Sequence, residues 1–210
     1  MSRDFCLGAV ILAAGRSVRM GRPKLLLPWG PGSILSHLLG QWRGLGAEQV
    51  AVVCATGDAA LEQELARLGF PCQNVIWNPT PDRGMFSSVQ CAARWPGWHS
   101  GLTHWCIALG DQPHLRPRTL RGLLRLARSR RNNICQPSWQ GRKRHPVVLP
   151  RSVFEQLART EAQNLKAFLE PSEIAQFEAD DPGLALDIDR PEDYENALRL
   201  HETRWRDKRT

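Results

Sequence analysis

Leu7-Gly8-Ala9-Val10-Ile11-Leu12-Ala13-Ala14-Gly15-Arg16-Ser17-Val18-Arg19-Met20-Gly21-Arg22-Pro23-Lys24 is the stretch that decides the fold. Leu7 to Ala13 is continuously apolar, partly β-branched, and soon followed by a glycine. That pattern predicts a buried first strand. The residues at its end, Leu12-Ala13-Ala14-Gly15, are small after the leucine, so the backbone can approach a ligand closely. Successive amides in such a turn form a nest for an anion. Arg19 and Lys24 add two positive charges to the same loop. The parts suit a triphosphate. The spacing is not that of a P-loop, because five residues separate Gly15 from Gly21 and Lys24 comes three later. It is not a G-x-G-x-x-G fingerprint either.

Outward from this loop, apolar strand-like runs alternate with helical patterns. Strands are predicted at 50–54, 74–77, 105–109 and 146–149, with extended segments at 174–177 and 185–188. Helices are predicted at 33–45, 59–68, 85–94, 117–128, 152–157 and 191–200. Ser33 is the expected N-cap of its helix, with Ile34, Leu35, Leu38, Leu39 and Trp42 at core spacing. Gly69 stands in C′ position, and Pro117 and Pro191 sit in first turns. This alternation predicts one α/β domain over 1–200, with a mostly parallel sheet between helical layers, and a basic tail over 201–210. In such sheets ligands bind beyond the carboxyl ends of the strands.

The unusual acidic residues fall at those ends. Gly110-Asp111-Gln112-Pro113 follows an apolar strand, where a carboxylate is placed to hold a metal. Magnesium takes one or two carboxylates, with water and substrate phosphate completing its octahedron. In Asp187-Ile188-Asp189-Arg190-Pro191-Glu192-Asp193, alternation points Asp187 and Asp189 to one side. Glu192 and Asp193 are accounted for as helix N-terminal charges. Asp189 is a helix cap or a metal ligand, with Asp187 the second candidate.

The string from Leu12 to Lys24 closely resembles the signature L-A-[AG]-G-x-[SG]-x-R-[ML]-G-x-x-K of the MobA-like nucleotidyltransferases. This group includes molybdenum-cofactor cytidylyl- and guanylyltransferases and relatives acting on sugars and alditols. The resemblance runs from Val10 to about Leu198. It implies a single Rossmann-like, three-layer α/β/α domain of the nucleotide-diphospho-sugar transferase type. It implies that the loop wraps the NTP phosphates, neutralised by Arg19 and Lys24, with Leu12 to Gly15 and Gly110 against the nucleotide. It makes Asp111 the metal-binding aspartate of G-D-x-P, and Asp189 its partner from the D-R-P-E-D segment.

Asn78-Pro79 to Gly84-Met85-Phe86-Ser87-Ser88-Val89 resembles the family segment N-P-x(n)-G-[MQ]-x-S-S-[LV]. Gly84 opening a helix gives amides for an anion, and Ser87 and Ser88 offer hydroxyls to the nucleotide. Lys143-Arg144-His145-Pro146-Val147 resembles R-G-H-P-V near the acceptor pocket, with Arg144 standing where glycine is typical. That places Arg144 and His145 against an acceptor phosphate or pterin. Ala13-Ala14-Gly15, followed by Lys24-Leu25-Leu26-Leu27-Pro28-Trp29, looks more like the MocA (cytidylyl) branch.

What the resemblance implies is transfer of CMP from CTP to a molybdopterin-type cofactor, with Mg²⁺, release of pyrophosphate, and handover to a molybdenum enzyme. Guanylyl transfer, and transfer to a sugar, alditol or methylerythritol phosphate, are the alternatives within the class. A non-catalytic nucleotide- and cofactor-binding chaperone is the alternative outside it. An anionic acceptor phosphate needs no strong general base, so positioning and charge neutralisation carry such a reaction.

Composition agrees with a globular chain of 210 residues, 42% hydrophobic and 23% charged. The net charge of +7 is spread, densest at 116–131, 142–144 and 204–209. The 116–131 stretch lacks interleaved aromatics and a reader motif, so specific nucleic-acid binding is not expected. The six cysteines include no C-x-x-C pair and several lie in apolar runs, which predicts reduced, buried thiols. The apolar run Leu7 to Ala14 ends in a basic loop rather than a cleavage site, and no stretch approaches a membrane span. A cytoplasmic protein is expected. Trp29, Trp77 and Trp105 are expected in the core. His37, His99, His104 and His114 are expected to be surface or partly buried residues.

Overall fold

The computed structural model describes residues 5–207, with side chains to residue 201. The chain runs β1 (Leu7–Leu12), β2 (Pro28–Trp29), β3 (Gly32–Ser33), α1 (Ile34–Gly44), β4 (Gln49–Ala55), α2 (Ala59–Arg67), β5 (Val75–Asn78) and α3 (Met85–Arg94). It continues β6 (His104–Leu109), α4 (Pro117–Ser129), β7 (Ile134–Trp139), β8 (Arg142–Lys143), β9 (Val147–Pro150), α5 (Arg151–Gln156), α6 (Leu165–Leu169), β10 (Ile174–Glu178) and α7 (Pro191–Asp207). Of the segment read as a tail, positions through Asp207 continue α7, and 208–210 lie outside the described residues, as do 1–4.

The main sheet has the order β10-β7-β9-β6-β1-β4-β5, with β8 paired to β7. β1 is parallel to both β4 and β6, so the chain reverses its direction of travel across the sheet between β1 and β6. Such a switch point opens a crevice at the carboxyl ends of its two strands. β9 enters antiparallel between β6 and β7.

Side chains of β1 alternate between two cores. Leu7, Ala9 and Ile11 join α1, α2, α4 and α7 on one face, while Val10 and Leu12 join α3, α5 and α6 on the other. The expected three layers follow from this alternation. α1 buries the five positions its spacing selected. Ser33 caps it: its hydroxyl accepts from Ser36 N at 3.1 Å, and Ser36 Oγ accepts from Ser33 N at 2.9 Å. A cap of this kind contributes about 1 kcal/mol.

Several expectations need correction. Trp29 and Trp105 are buried, but Trp77 is 42% exposed, because it takes an outward position on the edge strand β5. His104 and His114 are buried, deeper than expected. His104 is held between Thr103 Oγ1 and the Arg131 carbonyl, and His114 reaches the Gly183 carbonyl. Of the segment expected to be extended at 185–188, Ala185 closes a 3₁₀ turn (Pro182–Ala185), Leu186 is extended, and none of it joins the sheet. Of the cysteines, Cys54, Cys106 and Cys135 are buried, Cys72 is exposed, and none of the six is joined in a disulfide.

Candidate functional site

Beyond β1 the chain stays extended for one more residue, with Ala13 N donating to Val53 O at 2.8 Å. It then folds back on itself: Lys24 N donates to Ser17 Oγ at 3.0 Å, and Gly21, at φ 66°, ends the Val18–Met20 turn. Buried Met20 anchors the turn, while Val18 and Arg19 point outward. The loop walls a cleft of about 410 Å³. Leu12, Ala13, Ala14, Gly15 and Lys24 form one side, Gly110 and Asp111 the floor, and Gly84 and Ser88 the far side.

Lys24 joins the charges of the site. Its Nζ lies 2.8 Å from Asp111 Oδ2 and 3.2 Å from Asp189 Oδ1. Arg19 Nη1 approaches Asp189 Oδ2 at 3.5 Å. Burial works against the Lys24 charge and is the largest single influence on it, but Asp111 and Asp189 together outweigh burial and raise its pKa. Glycine is required at 110, since a Cβ there would lie 2.6 Å from Leu12 O and 3.0 Å from Leu25 Cδ2. That closeness draws the end of β6 against β1 and sets Asp111 in the lining of the cleft.

The second acidic segment is pinned to the first by Ile188 N, which donates to Asp111 O at 3.1 Å. Asp187 lines the cleft and accepts from Gln112 Nε2 at 2.8 Å. Burial first, then the nearby Asp111 carboxylate, push its carboxyl above the ordinary range. Asp193 Oδ2 accepts from the amides of Asp189 and Arg190 at 3.2 and 2.8 Å. The capping of α7 is therefore done by Asp193, and the Asp189 side chain is turned to Lys24 and Arg19. Asp111 Oδ1 is buried without a hydrogen-bond partner. Among the described residues no group of three or more His, Cys, Asp or Glu is gathered for a metal. A hard ion that takes one or two carboxylates, and its remaining ligands from water and substrate, fits this donor set and its orphaned oxygen.

The two serines divide. Ser88 faces the cleft. The Ser87 hydroxyl turns inward, against the Gly84 and Thr80 carbonyls at 2.8 and 3.1 Å. Asn78, wholly buried, donates to both serine hydroxyls and accepts from Thr80 N at 2.9 Å. It thereby fixes the turn that carries Gly84, whose φ of 85° suits glycine.

A second cavity of about 660 Å³ adjoins the cleft, with Met85 lining both. Arg142, Lys143, Arg144, His145 and Lys166 give it a basic wall. Arg144 N donates to Pro137 O at 2.9 Å, and its carbonyl accepts from Gln136 Nε2 at 3.1 Å. Its backbone has no positive φ, so a side chain is accommodated where the family usually has glycine. Half-buried His145 leaves Nδ1 buried without a partner. Burial pushes its pKa down, against a hydrogen bond to the Ile107 backbone and the Asp111 charge. Sequence reasoning placed Asn78 and Gln112 within their motifs without giving either a role, and it missed Lys166, which comes from a helix with no signal of its own.

Comparison with known proteins agrees with this geometry. The chain is 27% identical over 192 residues to molybdenum cofactor cytidylyltransferase of Escherichia coli (strain K12), covering 90% of this chain and 93% of that one. It is 29% identical over 207 residues to purine catabolism protein PucB of Bacillus subtilis (strain 168), covering 95% and 98%. The crystal structure of Rv0371c from Mycobacterium tuberculosis H37Rv superposes with a TM-score of 0.73 at 26% identity, over 93% of this chain and 98% of that one. The complex of Rv0371c with manganese gives 0.67 at 25% identity, over 92% and 98%. The profile of the MobA-like NTP transferase domain matches residues 9–178. That span includes the basic loop and Asp111, and the chain belongs to the MobA-like NTP transferase family.

Proposed function

We propose that this nucleotidyltransferase moves CMP from CTP to the terminal phosphate of a molybdopterin-type molybdenum cofactor, releasing pyrophosphate. The observation that carries the reading is Lys24 Nζ held between Asp111 and Asp189 at the floor of the cleft. Cations for a triphosphate and carboxylates for its metal stand there within one hydrogen bond of each other. The E. coli relative named as a cytidylyltransferase supports the choice of nucleotide and acceptor.

Lys24 and Arg19 bind the phosphates and offset their charge as an acceptor oxygen attacks the α-phosphorus and the bond to pyrophosphate breaks. Ala13 to Gly15 bring the backbone close to the nucleotide, and Ser88 offers its hydroxyl from the far wall. Asp111 and Asp189 would hold Mg²⁺. That ion supplies charge neutralisation on the phosphate oxygens. Arg144, Lys166 and His145 receive the anionic acceptor in the adjoining cavity, where one phosphate can face the donor cleft past Met85. The product is then passed to a molybdenum enzyme.

Pyrophosphate release from each of the four NTPs, with Mg²⁺ and molybdenum cofactor, tests this reading. Release with CTP, lost in Asp111→Ala, is the expected result. Release with GTP alone would assign guanylyl transfer. Release only with sugar or alditol phosphates would move the acceptor. NTP binding without release under any condition would leave a cofactor-binding chaperone.

A further inference from the structure

Arg16 stands apart from the other cations of the loop. Together with Lys24 it lines both the 410 Å³ cleft and an adjoining pocket of about 330 Å³, which is walled by Ser17, Val18, Arg19 and Asp189. A triphosphate with its α-phosphorus near Asp111 can extend its outer phosphates into this junction. Lys24 and Arg19 pair with carboxylates of the site floor. Arg16 instead reaches over the mouth: its Nη2 lies 3.0 Å from Asp82 Oδ2. Asp82 belongs to the Pro81–Arg83 turn on the far wall, and it too lines the cleft. The pair therefore joins the two walls at the solvent side, with side chains 68% and 69% exposed.

We propose that Arg16 is a further substrate-binding residue that recognises the β- and γ-phosphates, and that Asp82 holds it in reserve until a nucleotide enters. This rests on the nucleotidyltransfer reading and adds a residue to it. An exposed pair of one arginine and one carboxylate is weakly held. A guanidinium on phosphate makes paired, charge-assisted hydrogen bonds, which are among the stronger ones. Exchange of Asp82 for phosphate is favoured on both counts. A nucleoside monophosphate does not reach the junction and leaves the pair closed. The mouth thus responds to the part of the substrate that becomes the leaving group.

Calorimetric titration of wild type, Arg16→Gln, Asp82→Asn and the double variant tests this. The ligands are the NTP bound best by wild type, its monophosphate, and inorganic pyrophosphate, all with Mg²⁺. Arg16→Gln should weaken NTP and pyrophosphate about tenfold and leave the monophosphate within about twofold. Asp82→Asn should tighten NTP about threefold in the wild-type background. In the Arg16→Gln background it should have no effect. Equal losses for NTP and monophosphate in Arg16→Gln would overturn the assignment. So would tightening by Asp82→Asn that persists without Arg16, since that reports only repulsion between Asp82 and phosphate. A wild type that binds no NTP would overturn the nucleotidyltransfer reading and this inference with it, whereas the other two results overturn the inference alone.

Discussion

Ile188 N donates to the carbonyl of Asp111 at 3.1 Å, binding two acidic segments that lie 77 positions apart in the chain into one floor. Asp111 arrives at the end of β6 and Asp189 on the approach to α7. The bond between their backbones lets a single lysine meet both carboxylates. Asp111→Ala should lower pyrophosphate release by about 10²–10³, the usual scale for losing one electrostatic element of an active site. Asp189→Ala should raise the Mg²⁺ concentration needed for half-maximal rate more than Asp187→Ala does, because Asp187 is engaged with Gln112. A Mg²⁺ titration of the three variants reads this directly, and a larger shift in Asp187→Ala would reassign the second ligand.

Gly110→Ala places a methyl group 2.6 Å from Leu12 O. Backbone must move to admit it, at a cost of about 1–3 kcal/mol. The urea midpoint should fall, and activity should fall further than stability because Asp111 is carried along. An unchanged midpoint would mean that the two strand ends separate freely.

Asn78→Ala removes the donor to Ser87 and Ser88 and the acceptor for Thr80 N. Loss of a buried side chain that satisfies these groups should cost about 2–3 kcal/mol. The change should appear in equilibrium unfolding and as faster hydrogen exchange at the Thr80 amide.

His104 links stability to pH. Burial lowers its pKa below the ordinary value, against the bond from Nε2 to the Arg131 carbonyl. The unfolded chain therefore takes up a proton at higher pH than the folded one. Stability is fully present above the unfolded value near 6.5 and is lost as pH falls below it toward the folded pKa. His145 shifts in the same direction. Unfolding measured between pH 7.5 and 5.5 should show this decline, and His104→Gln should flatten it. A decline unaltered in that variant would place the linkage elsewhere.

Much of the fold was legible because its signals are local. Ser33 and the five apolar positions after it specify α1, and the run at Leu7 specifies the first strand. β7 was missed because Ile134-Cys135-Gln136-Pro137-Ser138-Trp139 carries polar residues and a proline, and its strand character comes from pairing with β9 and β10. The 185–188 segment has strand-like residues, but Ile188 spends its amide on Asp111 instead of a neighbouring strand. Within the site, the glycines and aspartates announced themselves at strand ends. The inward turn of Ser87 did not, because it depends on the carbonyls of Thr80 and Gly84.

The reversed direction of β9 has a consequence for how such a protein can change. Val147 pairs with Ile107 and Pro150 with His104, so β9 begins at the rim where β6 ends. Parallel entry would have sent His145 to the opposite rim. The basic wall at 142–145 therefore faces the same opening as Asp111, while its backbone is anchored to β7 rather than to β1. The two halves of the rim belong to separate stretches of chain and meet where β9 pairs with β6. One can be rebuilt for a new recipient molecule while the other, with its loop and its aspartate, is inherited intact.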